Sequence, residues 1–118
     1  MTVPTNVEMI DPIFCVSDLD RSVRYYTQVL GFDAADWNTG DFTAVTLGGH
    51  GVYLAENMQG QPGAWIWIGV GDVRALHDLY VSRGARIRLP PTSYPWALEL
   101  QVEDPDGNVL RFGSDPDD

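Results

Sequence analysis

A chain of 118 residues, 44% of them hydrophobic, is sized for one domain that buries an ordinary core without covalent staples. Seventeen acids against seven bases give a formal net charge of -10, and every base is arginine; Schiff-base chemistry and a phosphate-loop lysine are excluded, and DNA or RNA is a poor partner. The lone cysteine, Cys15, excludes an internal disulfide and fits a reducing cytoplasm.

The start, MTVPTNVEMID, lacks the basic and apolar parts of a signal peptide, and no apolar run approaches the roughly 18 residues of a membrane helix. A cytoplasmic protein with no membrane partner is expected. Residues 10–16 form an apolar, strand-like run leading to Ser17-Asp18, an N-cap pair. After it, Leu19, Val23, Tyr26 and Leu30 recur at helical spacing until Gly31 closes the segment. Short alternating runs follow at 32–37, 42–47 and 52–55, separated by Asn38-Thr39-Gly40 and Gly48-Gly49. The stretch MQGQPG, 58–63, reads as a connector.

The order then repeats. A strand at 65–70 leads to Asp72, a helix carrying Val73, Leu76, Leu79 and Tyr80, and a closing Gly84. Strands are expected at 86–89, 97–103 and 109–113, broken by Pro90-Pro91 and by DPDGN. The two caps stand about 54 residues apart and the two closing glycines about 53, the signature of an internal duplication. The expected architecture is one α+β domain of two βαβββ units, near 7–57 and 64–113, with a frayed tail at 114–118 and curled sheets around a cleft.

Alternation assigns faces. Leu98, Leu100 and Val102 should face a helix, leaving Glu99, Gln101 and Glu103 on a solvated side that is free to hold a ligand. In GAWIWIGV, Ile66, Ile68 and Val70 supply the core face, so Trp65 and Trp67 need a second apolar environment: a ligand cleft or a dimer interface. Trp96, after Pro95 at a strand start, belongs to a loop and is better suited to binding than to a core. Cys15 reads as a small buried hydrophobe, and His50 and His77 as ordinary turn and surface residues. No spacing supports a Ser-His-Asp or Cys-His arrangement.

Two motifs, VSDLDRSVRYYTQVLGF (16–32) and VEDPDGNVLRF (102–112), resemble those of the vicinal oxygen chelate superfamily, which includes glyoxalase I, extradiol dioxygenases, fosfomycin-resistance transferases and bleomycin-resistance proteins. The resemblance implies the duplicated fold. Its enzymes hold a divalent metal at positions that fall here on Asp11, near Leu54, on Trp65 and on Arg111. Of these only Asp11 is a competent ligand, since a guanidinium is a permanent cation and an indole offers only a donor. Glu56 is a shifted alternative. No metal and no cofactor are therefore expected.

Within the superfamily, AWIWI (64–68) and YPWALELQVEDPDGN (94–108) look like the bleomycin-resistance proteins: small, acidic, metal-free homodimers that sequester a cationic antibiotic between aromatic walls. Carried across, the walls are Trp37, Phe42 and Trp96, the cleft floor is Trp65 and Trp67, and Glu99, Asp11 and Arg111 complete the ligand-binding set. Asp11 has two readings, attraction of a ligand cation or a salt bridge to Arg111, of the same chain or of the partner chain, and the second is favoured. Pro12 stands where that family has a hinge for an arm that crosses to its partner. The implied function is sequestration of a flat, cationic natural product by a homodimer. The rival is an enzyme using Glu56, Asp11 or Glu99 with a metal or as a base; a non-catalytic sensor is a third reading.

Overall fold

Both helices begin where the sequence places a cap. Asp18 Oδ1 accepts from the backbone N–H of Arg21 at 3.0 Å, and Asp72 Oδ1 accepts from that of Ala75 at 3.0 Å. Both end at a glycine in the left-handed region, Gly31 with φ +81° and Gly84 with φ +76°. The computed structural model describes residues 4–116, so Asp117 and Asp118 of the tail expected to fray lie outside the described residues.

In chain order the elements are β1 (Ile13–Val16), α1 (Leu19–Arg24), a π-helical turn (Tyr25–Val29) that prolongs it, β2 (Asp33–Asn38), β3 (Phe42–Leu47), β4 (His50–Glu56), β5 (Trp65–Gly69), α2 (Val73–Ser82), β6 (Arg86–Ser93), β7 (Leu98–Glu103) and β8 (Val109–Ser114). The strands form two mixed four-stranded sheets, β1-β4-β3-β2 and β5-β8-β7-β6. In each, the first strand of the unit pairs parallel with the last, and the remaining pairs are antiparallel. The expected βαβββ duplication is thus realised strand for strand.

Several bounds shift by a residue, and three differ in a way the chain explains. The first strand begins at Ile13 rather than at residue 10, behind Pro12, which has no N–H to donate and whose carbonyl accepts from Tyr53 N at 2.9 Å. His50 opens β4 instead of lying in the preceding turn. Pro90-Pro91 does not break the sixth strand, which runs on to Ser93. It is an edge strand with a register shift between Leu89 and Thr92, where prolines are tolerated.

The helices cover one face of each sheet and make the core there. Phe14, Val16, Tyr26, Leu54, Val73, Tyr80, Leu100 and Phe112 are buried, with Cys15 among them as expected. Polar ties join the two units across this core. Tyr26 Oη donates to Asp104 Oδ2 at 3.0 Å, Tyr80 Oη donates to the Leu30 carbonyl at 2.8 Å, and Tyr25 Oη donates to the Glu103 carbonyl at 2.7 Å. Burial pushes the phenols of Tyr25, Tyr26 and Tyr80 above the ordinary tyrosine range, and the Asp104 carboxylate raises Tyr26 further. Burial also raises the Asp104 carboxyl, against hydrogen bonds from Asn108, Asp106 and Tyr26 that favour its charged form.

Side by side, the units give a radius of gyration of 15.1 Å and extents of 44 × 42 × 24 Å. A closely packed domain of this length would have a radius near 13.5 Å. The excess reflects the arrangement: with helices on one side only, the other face of each sheet lies open.

Candidate functional site

The open face of the second sheet is built on β5 and β8, which run parallel with Trp67 beside Arg111 and Gly69 beside Gly113. Alternation puts Ile66 and Ile68 toward the core and turns Trp65 and Trp67 out, each 50% exposed. Within the chain each meets an arginine. The Arg88 guanidinium lies 5.1 Å from the ring centre of Trp65, and that of Arg111 lies 5.1 Å from the ring centre of Trp67. Each arginine is held from its other side by a carboxylate: Arg111 Nε donates to Glu99 Oε1 at 2.7 Å, and Arg88 Nη1 donates to Glu103 Oε1 at 2.9 Å.

Glu99 corrects an expectation. Its face is not simply solvated, because its side chain is buried, accepting from Arg111 on one oxygen and from Gln101 Nε2 at 2.8 Å on the other. Both carboxylate oxygens are used in structure, which leaves the group poorly placed for acid–base work. Leu98, Leu100 and Val102 face the core, as expected.

On the first sheet, Thr43 and Val45 turn inward while Phe42 and Ala44 turn out, and Tyr53 stands opposite Ala44 across the β3–β4 ladder. Phe42 and Tyr53 stack with ring centres 5.3 Å apart at 14°, and Trp37, on the edge strand β2, stacks on Phe42 at 5.8 Å and 29°. The structure therefore brings Trp37 and Phe42 together and adds Tyr53, which the sequence reading missed. Its signal was present: Val52 and Leu54 form the inward pair of that strand, so Tyr53 had to turn out.

Trp96, 64% exposed, stacks on Tyr94 with ring centres 4.8 Å apart and planes at 8°. It faces Trp67 across a groove of about 530 Å³ lined by Gly69, Gly71 and Gly113, with Asp115 at its end. A larger crevice of about 840 Å³ opens between the two units, lined by Asp11, Pro12, Gly51, Ile66 and Trp67 among others.

Within one chain the favoured Asp11–Arg111 bridge is not formed. Arg111 is engaged by Glu99 and Trp67, while Asp11 precedes the first strand and lies against Gly51, where an added Cβ would stand 3.5 Å from its Oδ2. Glu56 is also committed elsewhere, accepting from Leu19 N at 2.8 Å at the start of α1. Leu54 points into the core and is fully buried, as is Ala55, and the partly exposed side chain beside them is Tyr53. The superfamily's metal positions thus present a carboxylate, an apolar or aromatic strand position, an indole and an ion-paired guanidinium. Such a donor set does not fit a divalent cation. Among the described residues no three His, Cys, Asp or Glu side chains gather as a metal would require, and no helix there is long and apolar enough to cross a membrane.

Two mixed sheets, each a parallel pair extended by two antiparallel strands and each carrying exposed aromatic residues, define a paired-βαβββ protein. The chain belongs to the Glyoxalase/Bleomycin resistance protein/Dioxygenase superfamily, whose family model matches residues 9–112. Its fold is shared by TnmS3, an antibiotic binding protein from Streptomyces sp. CB03234 (24% identity, TM-score 0.81, 94% of this chain and 98% of that one covered). It is also shared by the bleomycin-binding protein of bleomycin-producing Streptomyces verticillus, complexed with copper(II)-bleomycin (23% identity, TM-score 0.78, coverage 93% and 98%). A third similar structure is TioX from Micromonospora sp. ML1 (20% identity, TM-score 0.79, coverage 92% and 99%). A search of curated protein sequences finds no match.

Proposed function

We propose that this chain is a non-catalytic binding protein that sequesters a flat small molecule, of the kind represented by antibiotics and related natural products, in an aromatic cleft completed by a second copy. One observation carries the reading. All four tryptophans stand on open surfaces, each at least 40% exposed, and none serves the core. Single exposed apolar residues need no explanation, but Trp37 stacked with Phe42 beside Tyr53, Trp96 stacked on Tyr94, and Trp65 and Trp67 on the open face of the second sheet make stacking surfaces that water would otherwise have to cover. The antibiotic-binding relatives support the same reading.

Dimer closure is supported by shape. The open faces leave a ligand covered on one side only, and burying most of a ligand's surface needs a second wall. The arm before the first strand carries exposed Val7, Met9 and Ile10 into Pro12, apolar residues suited to a partner subunit. The net charge of -10 draws cationic groups toward the molecule at long range. The test is a tryptophan fluorescence titration with metal-free bleomycin, alongside sedimentation and metal analysis. Saturable quenching at micromolar ligand by a dimer is expected. A folded dimer showing no quenching removes that ligand, and stoichiometric zinc, iron, nickel or manganese in the purified protein overturns the non-catalytic reading.

A further inference from the structure

The inference rests on the binding-protein reading and concerns which chemical group the second sheet recognises. Three arginines, Arg86, Arg88 and Arg111, share that open face with two carboxylates, Glu99 and Glu103. Neither carboxylate is free. Glu99 is taken by Arg111 and Gln101, and Glu103 by Arg88 at 2.9 Å and Arg86 at 3.5 Å. On the strands of this face both carboxylates are thus taken; Asp115, beyond the end of β8, is the acid that lines the groove beside Trp67. Arg111, by contrast, uses only its Nε; among the described residues its two terminal nitrogens make no hydrogen bond.

The geometry prepares that guanidinium for an incoming acceptor. The bond from Glu99 fixes it from the buried side, and Trp67 braces its flank at 5.1 Å. Gly113 lets the Trp67 indole settle over β8, because any side chain there would occupy the ring's place. The result is a fixed aromatic surface with a fork of N–H donors at its edge, an arrangement suited to a planar acceptor. We propose that Trp67 and Arg111 bind a flat aromatic ring bearing an anionic oxygen, a carboxylate or phenolate, at its rim. Asp11 and Asp115 line the crevices that Trp67 also lines, but neither is paired with Arg111, whose ion pair is with Glu99; acids beyond about 8–10 Å are largely screened at physiological salt.

The test compares pyrene-1-carboxylate with 1-pyrenylmethylammonium by equilibrium dialysis, against the wild-type chain and the double variant Arg111→Met with Glu99→Gln. Removing both partners leaves no buried unpaired carboxylate and keeps the net charge at -10, so long-range attraction is unchanged. The carboxylate's affinity is expected to fall about tenfold or more, while the ammonium's changes less than about twofold. Equal losses for both probes, or a larger loss for the ammonium, overturn the inference and leave the binding reading intact. If neither probe binds the wild-type protein, the inference is overturned, and the binding reading is decided separately by the bleomycin titration. Should circular dichroism show that the double variant is unfolded, Arg111→Lys is used instead: it keeps the charge, loses the fork, and is expected to weaken the carboxylate selectively. Equal affinities of both probes for that variant and the wild type overturn the inference.

Discussion

Gly113 and Trp67 occupy one another's space: a Cβ built on Gly113 would overlap Cζ2 and Cη2 at the edge of the Trp67 indole. The glycine sits on β8 beside Gly69 of β5, and the indole leans across both strands. Gly113→Ala is therefore expected to force Trp67 off the sheet, lowering stability by about 1–3 kcal/mol, as overpacking does. The near-UV circular dichroism should change with it. Gly71→Ala is the control, since nothing lies within 4 Å of a Cβ there, and its effect should stay within about 0.5 kcal/mol. Equal stability and unchanged spectra for Gly113→Ala would mean that Trp67 is not held in this position.

The first sheet makes a separate prediction. Phe42, Trp37 and Tyr53 form a three-ring cluster: Phe42 stacks with both of the others, whose ring centres stand 6.3 Å apart, and it is partly exposed. Phe42→Leu preserves the apolar volume and should leave the fold within about 1.5 kcal/mol of wild type. Stacking on a ligand ring would be lost, and a flat aromatic ligand should bind about 3- to 10-fold more weakly, since an aromatic pair contributes about 0.5–1.5 kcal/mol beyond its area. Isothermal titration measures both variant and wild type. Unchanged affinity would assign this aromatic group to the subunit interface instead of the ligand.

Features set by neighbours in the chain were readable from the sequence: the caps at Asp18 and Asp72, the closing glycines, and the outward turn of Trp65 and Trp67. What escaped depends on register between strands. Glu99 stands opposite Gly113, and Gln101 opposite Arg111, so the Glu99–Arg111 pair is a diagonal contact that only the β7–β8 ladder creates. Arg88 reaches Trp65 across the curvature of the sheet, which alternation does not encode. Assigning a superfamily position to Leu54 shows how sharp this limit is. A slip of one residue exchanges an inward leucine for the outward Tyr53. Pro90-Pro91 failed as a stop signal because its strand lies at an edge, a fact of topology.

Asn108, in the DPDGN turn, ties both units to the connector. Its Oδ1 accepts from Gly63 N and Ala64 N at 3.0 Å each, and its Nδ2 donates to the Cys15 carbonyl at 3.2 Å and to Asp104 Oδ2 at 2.9 Å. The residue is fully buried. Asn108→Ala leaves two backbone donors and a buried carboxylate short of partners, so a loss of about 2–4 kcal/mol in denaturant unfolding is expected. A loss below about 0.5 kcal/mol would show that water replaces these bonds freely.

High pH should unfold the protein through its buried phenols. Burial holds Tyr26 and Tyr80 above the ordinary tyrosine value, and ionised Tyr26 would also face the Asp104 carboxylate to which it now donates. A raised folded-state value means that the folded protein keeps these protons where the unfolded chain releases them. The stabilising contribution is thus complete below the unfolded phenol's value of about 10 and is lost as pH rises through the higher folded values. Absorbance at 295 nm should show the Tyr26 and Tyr80 phenols ionising only together with the loss of far-UV circular dichroism. Tyr80→Phe removes one such group and its bond to Leu30, so it should be less stable at neutral pH yet lose less stability between about pH 9 and 12. Phenol ionisation complete at pH 11 in a protein that keeps its circular dichroism would contradict the buried positions of both rings.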